Sequence, residues 1–99
     1  MKKIDFTKIE VMGVDGKPYM IPKVVNGKTV FEEYDFSKAL GNDLFYNGKD
    51  IRIAELGTKI YHHEVVEISD EEFASIREQI NERFLPFVLL SVNPQLDKY

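Results

Sequence analysis

The chain contains no cysteine. That removes disulfides, thiolate zinc sites and thiol nucleophiles together, and it suits a reducing compartment. No apolar run approaches the ~18 residues that a bilayer-spanning helix requires. The start, MKKIDFTKIE, carries two lysines with no apolar stretch behind them, which does not fit a signal peptide. A soluble, cytoplasmic protein is the expectation, with no membrane partner. Serines are few (Ser37, Ser69, Ser75 and Ser91), and none stands in a Gly-x-Ser-x-Gly turn, so the nucleophile elbow of hydrolases is missing. No repeat, low-complexity segment or long linker divides the chain.

What is present is an ordinary globular composition, 43% hydrophobic and 30% charged, which argues against disorder. Ninety-nine residues make a single domain, large enough to hold a core without metal or disulfide. The net charge of −4 does not suggest a nucleic-acid binder, but it is unevenly spread: residues 1–31 sum to +3 and residues 32–99 to −7. A basic arm on an acidic body suits a polyanion or the acidic body of a second copy. Lysines on exposed strands also discourage edge-to-edge pairing.

Residues 1–34 read as a β-meander of about three short strands. Lys8–Met12 alternates with a period of two, placing Ile9 and Val11 on one face. Asp15-Gly16 marks a hairpin turn, Lys17–Ile21 returns as an edge strand because Pro18 cannot donate to a ladder, and Pro22 adds a break. Asn26-Gly27 marks a second turn between Val24-Val25 and Lys28–Tyr34.

Residues 35–63 read as a hairpin of two helices. Asp35 or Ser37 caps the first, which carries Phe36, Leu40 and Leu44 on one face. Asn47-Gly48 ends it, since both residues tolerate the left-handed conformation. Asp50 caps the second helix, whose apolar stripe is Ile53, Leu56 and Ile60. Each helix has an interior glycine, Gly41 and Gly57, normally a cost of roughly 1 kcal/mol against alanine. A close crossing of the two helices at these glycines would explain both.

Residues 64–99 read as a short extended link, Glu64–Ile68, followed by helices. Ser69 and Glu72 have the spacing of a capping box. Phe73, Ile76, Ile80 and Phe84 form the stripe of a helix running to about Phe84. Pro86 kinks that helix or starts another. Phe87–Val92 is apolar with no helical gap, so it is buried on all sides or packs against a partner. Asn93-Pro94 is expected to stop it, leaving QLDKY as a polar tail.

Candidate chemistry is sparse. Gly27-Lys28-Thr29 has the end of a phosphate-binding loop, but Pro22 occupies the position of its first glycine, so a hairpin is the better reading. His63-Glu64-Val65-Val66-Glu67 has a glutamate where a zinc-protease helix needs its second histidine. His62 and His63 are adjacent, so they diverge on any regular backbone, and a helix-ending role suits them better than a metal. Glu32 and Glu33 diverge on a strand, and Asp70, Glu71 and Glu72 are explained by capping. No catalytic set, metal site or cofactor site is expected. Phe6, Tyr19, Phe31 and Tyr34 mix with lysines as stacking platforms for single strands do, though aromatic residues in strands more often pack.

The order of features in SKALGNDLFYNGKDIRIAELGTKIYHHEVVEISDEEFASI resembles a group of small proteins from prophages and mobile elements of gut anaerobic bacteria. These also run from a capped Leu-Gly/Ala-Asn helix, through a turn, to a helix ending in Ile-Tyr, a short Val-Glu segment and a Ser-x-Glu-Glu cap. The resemblance covers Ser37–Ile80. It implies no catalytic residue and favours an accessory or assembly role.

The expectation is therefore an α+β protein with an N-terminal antiparallel meander packed on three to four C-terminal helices. Functionally it is a non-enzymatic interaction or assembly module, with a protein partner or a second copy meeting Phe87, Val88, Leu89 and Leu90. The alternative is a weak nucleic-acid binder that contacts polyanions through Lys17, Lys23 and Lys28.

Overall fold

The computed structural model describes residues 1–99 and has the expected α+β class. In chain order the elements are β1 (Lys2–Ile4), a single 3-10 turn at Phe6–Lys8, β2 (Met20–Val25), β3 (Lys28–Glu33), α1 (Phe36–Asn47), α2 (Ile51–Tyr61), β4 (Val66–Ile68), α3 (Asp70–Arg83) and α4 (Pro86–Leu96). The four strands form two separate antiparallel pairs, β1 with β4 and β2 with β3. One contiguous core of 18 buried residues joins β1, β4, the 3-10 turn and all four helices.

The helical hairpin is the centre of the fold. Asp35 caps α1 by accepting from the Lys38 N–H at 3.0 Å, and Asp50 caps α2 by accepting from Ile53 at 2.9 Å. Ser37 is not the cap. It is buried and donates its hydroxyl to the Ile60 carbonyl at 2.7 Å. α1 and α2 cross at the two glycines, as their placement suggests. A Cβ on Gly41 would lie 2.6 Å from the Gly57 carbonyl oxygen, and one on Gly57 would lie 2.7 Å from the Phe45 nitrogen. The end of α1 differs from expectation. Gly48 has φ −63°, not the left-handed value, and glycine is needed there because a Cβ would strike the Leu44 carbonyl. Just beyond α2, His63 takes φ +64°. His63 N–H reaches the Ile60 carbonyl and Glu64 N–H the Lys59 carbonyl, the paired bonds of a Schellman motif. His63 Nε2 also lies 2.6 Å from Asp35 Oδ2, which ties the end of α2 to the start of α1.

Val66–Ile68 pairs with Lys2–Ile4 and buries Val66, Ile68 and Ile4. α3 opens with the capping box: Ser69 Oγ accepts from Glu72 N–H at 3.1 Å, and Glu72 Oε1 accepts from Ser69 N–H at 2.8 Å. The Ser69 N–H, helped by the Arg52 guanidinium 2.7 Å away, holds the Glu72 carboxyl below its ordinary range. A depressed folded-state value stabilises the fold above the unfolded value near 4.5 and is lost as pH falls through the lowered one. Glu72→Gln is thus expected to cost about 1 kcal/mol near neutrality. The gap to the parent should narrow in urea titrations as the pH falls below the unfolded value and through the lowered folded one.

Pro86 starts a new helix, at its first position, where a missing N–H costs nothing. Pro94 does not stop it: α4 continues to Leu96, and Leu96 is buried. The Leu90 carbonyl that would have received the Pro94 N–H belongs to a solvent-facing residue, so water can satisfy it. The end of the chain is therefore structural rather than a polar tail. Gln95 accepts from Glu10 N–H at 3.0 Å and donates to the Glu10 carbonyl at 2.7 Å, while Ser91 Oγ accepts from Met12 N–H at 2.9 Å. These side chains stand in for a neighbouring strand. That is why Lys8–Met12 buries Ile9 and Val11 with the expected alternation yet forms no ladder, and the first strand of the meander contracts to a bridge between Met12 and Pro18.

Candidate protein interface

Several regions outside the core present apolar side chains to solvent, Phe45, Tyr46 and Ile51 around the α1–α2 turn among them, and two of these regions adjoin. The first is the β2–β3 hairpin. Its register runs from Met20 opposite Glu33 to Val25 opposite Lys28, continuous through Pro22 opposite Phe31. Asn26 and Gly27 both take positive φ, 52° and 76°, the geometry of a type I′ turn. This settles Gly27-Lys28-Thr29 as hairpin. The expected break at Pro22 is absent for a specific reason. Just below Met20 and Glu33, Tyr34 N–H bonds the Tyr19 carbonyl at 2.9 Å. Bonded and non-bonded pairs alternate from there, so Pro22 falls on a non-bonded pair with its nitrogen facing outward, where no donor is needed.

The body supports this hairpin only at its base. Tyr19 packs edge-on against Tyr34 (centroids 5.7 Å apart) and against Phe87 of α4 (5.0 Å), and burial raises the pKa of the Tyr34 phenol. Beyond this joint only Ile21 is even partly covered. Directly opposed residues share a face. One face therefore carries Met20, Pro22, Val24, Thr29, Phe31 and Glu33, and the other Ile21, Lys23, Val25, Lys28, Val30 and Glu32. Phe31 is 64% exposed and Val24 73%. The extents of the molecule, 43 × 27 × 22 Å, reflect an elongated shape.

The second region is the outer side of α4. Of the four residues expected at a partner, Leu90 is 79% exposed, and Phe87 and Leu89 are half-buried against this chain's own core. Val88 is only 3% exposed and is not available to a partner. The apolar run is thus neither buried on all sides nor wholly exposed: Val88 and Val92 face inward, Leu90 outward. Leu90 and Phe87 line an open groove of about 720 Å³ whose other wall includes Met12, Tyr19 and Met20. Met20 belongs both to this groove and to the Phe31 face of the hairpin, so the two apolar regions adjoin.

The polar candidates are placed less favourably. Lys23 and Lys28 share the hairpin face opposite Phe31, and Lys23 lies 3.9 Å from Glu32. Lys17 stands in the preceding turn, outside β2. Of the four aromatic residues considered for stacking, Phe6 is buried and Tyr19 and Tyr34 form the hairpin joint. Only Phe31 is well exposed, with Lys23 and Lys28 behind it. A cleft of about 220 Å³ lies over the glycine crossing, beside Tyr61 and His62, which is below the usual range for ligand sites. His62 stacks edge-on with Tyr61 and His63 serves the helix terminus. No three His, Asp or Glu side chains converge as metal ligands, and no helix is long and apolar enough to cross a membrane.

Sequence reasoning singled out Leu90, weighed Phe31 only as a stacking residue for nucleic acid, and missed Met20 and Val24. The available signal was that the Lys28–Glu33 strand has an apolar residue on each face, Val30 on one and Phe31 on the other. No protein-family model, curated protein or solved structure matches this chain.

Proposed function

We propose that this protein is a non-enzymatic interaction or assembly module whose working surface is the projecting hairpin and the adjoining α4 groove. One observation carries the reading: a two-stranded ribbon stands off the body with Val24 and Phe31 largely exposed on one face and Met20 joining that face to the α4 groove. Such a ribbon is marginal on its own, and contiguous apolar surface of this kind marks interaction sites. The accessory or assembly role implied by the resemblance to prophage and mobile-element proteins is of the same class. Polyanion binding through Lys17, Lys23 and Lys28 is the weaker reading, because Lys23 lies beside Glu32 and Phe31 faces away from Lys23 and Lys28.

The test places a photo-crosslinking amino acid at Phe31, at Leu90 or at the exposed α3 position Glu71, in the full chain produced in cells that naturally encode it. Because these side chains make little contact with the core, each variant is expected to unfold within about 0.5 kcal/mol of the parent. Discrete protein adducts are expected at Phe31 and Leu90 and not at Glu71. Equal or no labelling at the three positions would sink the reading.

A further inference from the structure

The two edges of the hairpin are unlike, and the difference assigns a partner. On β2 the outward-facing residues are Met20, Pro22 and Val24, so the middle donor is missing. On β3 they are Thr29, Phe31 and Glu33, all with N–H and carbonyl groups turned outward by the same alternation. One edge is blocked to pairing and the other is open.

The open edge is complementary to itself. When Lys28–Glu32 is laid antiparallel beside the same segment of a second copy, centred on Val30, the outward-facing Thr29 and Phe31 meet Phe31 and Thr29 of that copy. They can exchange main-chain hydrogen bonds without disturbing either hairpin. On the other face Lys28 falls opposite Glu32, Val30 opposite Val30, and Glu32 opposite Lys28. Opposed opposite charges stabilise a strand pair, and like charges in those positions destabilise it. Lys28, which alone would guard the edge against pairing, is neutralised in this one register. Shifting the register by two residues instead pairs Phe31 with Phe31 and sets Val30 opposite Glu32, and both ion pairs are lost.

We infer that a second copy of this chain docks on β3, giving a two-fold dimer with a four-stranded sheet ordered β2-β3-β3-β2. Pro22 then lies on both outer edges, so growth stops at two copies. The groove of α4 stays outside this contact and remains free for another protein. The inference rests on the reading of the hairpin as an interaction surface, and it names the partner and the register. Paired ribbon edges bury less area than a standard stable interface, so the dimer forms at roughly 100 µM rather than at nanomolar concentration.

Sedimentation equilibrium up to about 1 mM tests it, with circular dichroism confirming that each variant is folded. The parent is expected to dimerise. Lys28→Glu and Glu32→Lys each set like charges opposite one another twice per dimer, so each alone should dissociate with a constant raised on the order of 30-fold. Mixed in equal amounts the two variants again pair opposite charges at both positions, and a heterodimer of parental affinity is expected. The double exchange K28E/E32K should likewise dimerise. A parent that stays monomeric, single variants that dimerise like the parent, or a mixture that stays monomeric would each overturn the dimer. A monomeric parent that still crosslinks another protein through Phe31 would refute self-pairing and leave the interaction reading standing. Absence of both would remove the two together.

Discussion

Gly41→Ala is expected to lower the unfolding free energy by about 3 kcal/mol or more, with Gly57→Ala close behind. The sign is what makes the result informative. In the interior of an exposed helix the same change is favourable by up to ~1 kcal/mol, because alanine loses less conformational freedom on folding. Here the added methyl would sit 2.6 Å from the Gly57 carbonyl oxygen and 2.6 Å from the Tyr61 Cα. Both are backbone atoms, which cannot rotate aside as a side chain can. The helices would have to separate, and separation would also pull Ser37 from the Ile60 carbonyl and Asp35 from His63. Urea unfolding followed by circular dichroism measures the change. A stabilised G41A variant would mean that the two helices do not cross at these residues.

Leu96→Ala should be nearly as damaging, at about 2–5 kcal/mol, the usual range for emptying a fully buried leucine site. Leu96 is 1% exposed, three residues from the end of the chain. Removing Lys98 and Tyr99 leaves that side chain in place and is expected to cost less than about 0.5 kcal/mol. Truncation after Pro94 removes Leu96 together with Gln95, whose two bonds to Glu10 hold the Lys8–Met12 segment against α4. The truncated chain should lose protection at both ends of the sequence at once, readable as faster amide exchange at Glu10, whose N–H bonds Gln95, and at Met12, whose N–H bonds Ser91. Unchanged exchange there would show that α4 does not support the segment.

The contrast between these two predictions shows where local reasoning sufficed. The glycine crossing was legible because two interior glycines on consecutive helices, each an energetic cost alone, share one simple explanation. The caps were legible for a similar reason: Asp35, Asp50 and the Ser69–Glu72 pair act on N–H groups within three residues, so their chemistry is complete in a short window. The Asn26-Gly27 turn belongs with them. The end of α4 was not legible. Proline normally signals a stop, and whether the chain continues through Pro94 depends on whether the Leu90 carbonyl can reach water. That is a property of the folded surface. Lys8–Met12 failed in a different way. Its alternation gives one buried and one exposed face as expected, but the N–H groups of Glu10 and Met12 bond Gln95 and Ser91, about 80 residues away in the chain.

The candidate interface divides along the same line. Phe87–Val92 was visible as an apolar run, but only packing decided that Val88 and Val92 turn inward and Leu90 outward. The hairpin was visible as a pair of strands, but its lack of any covering element was not, because aromatic and β-branched residues in strands are ordinarily half-buried.

By itself the amino-acid sequence determined the α+β class, the starts of α2 and α3, the Asn26-Gly27 turn and the absence of thiol chemistry. All of these follow from residue identity or from interactions spanning a few positions. Tertiary structure alone decided which strands pair, that the C-terminal residues belong to the core, and that β2–β3 stands clear of the body with one blocked edge and one open one. Burial and pairing are set by what lies on the other side of a surface, and in this chain that is usually a residue distant in sequence.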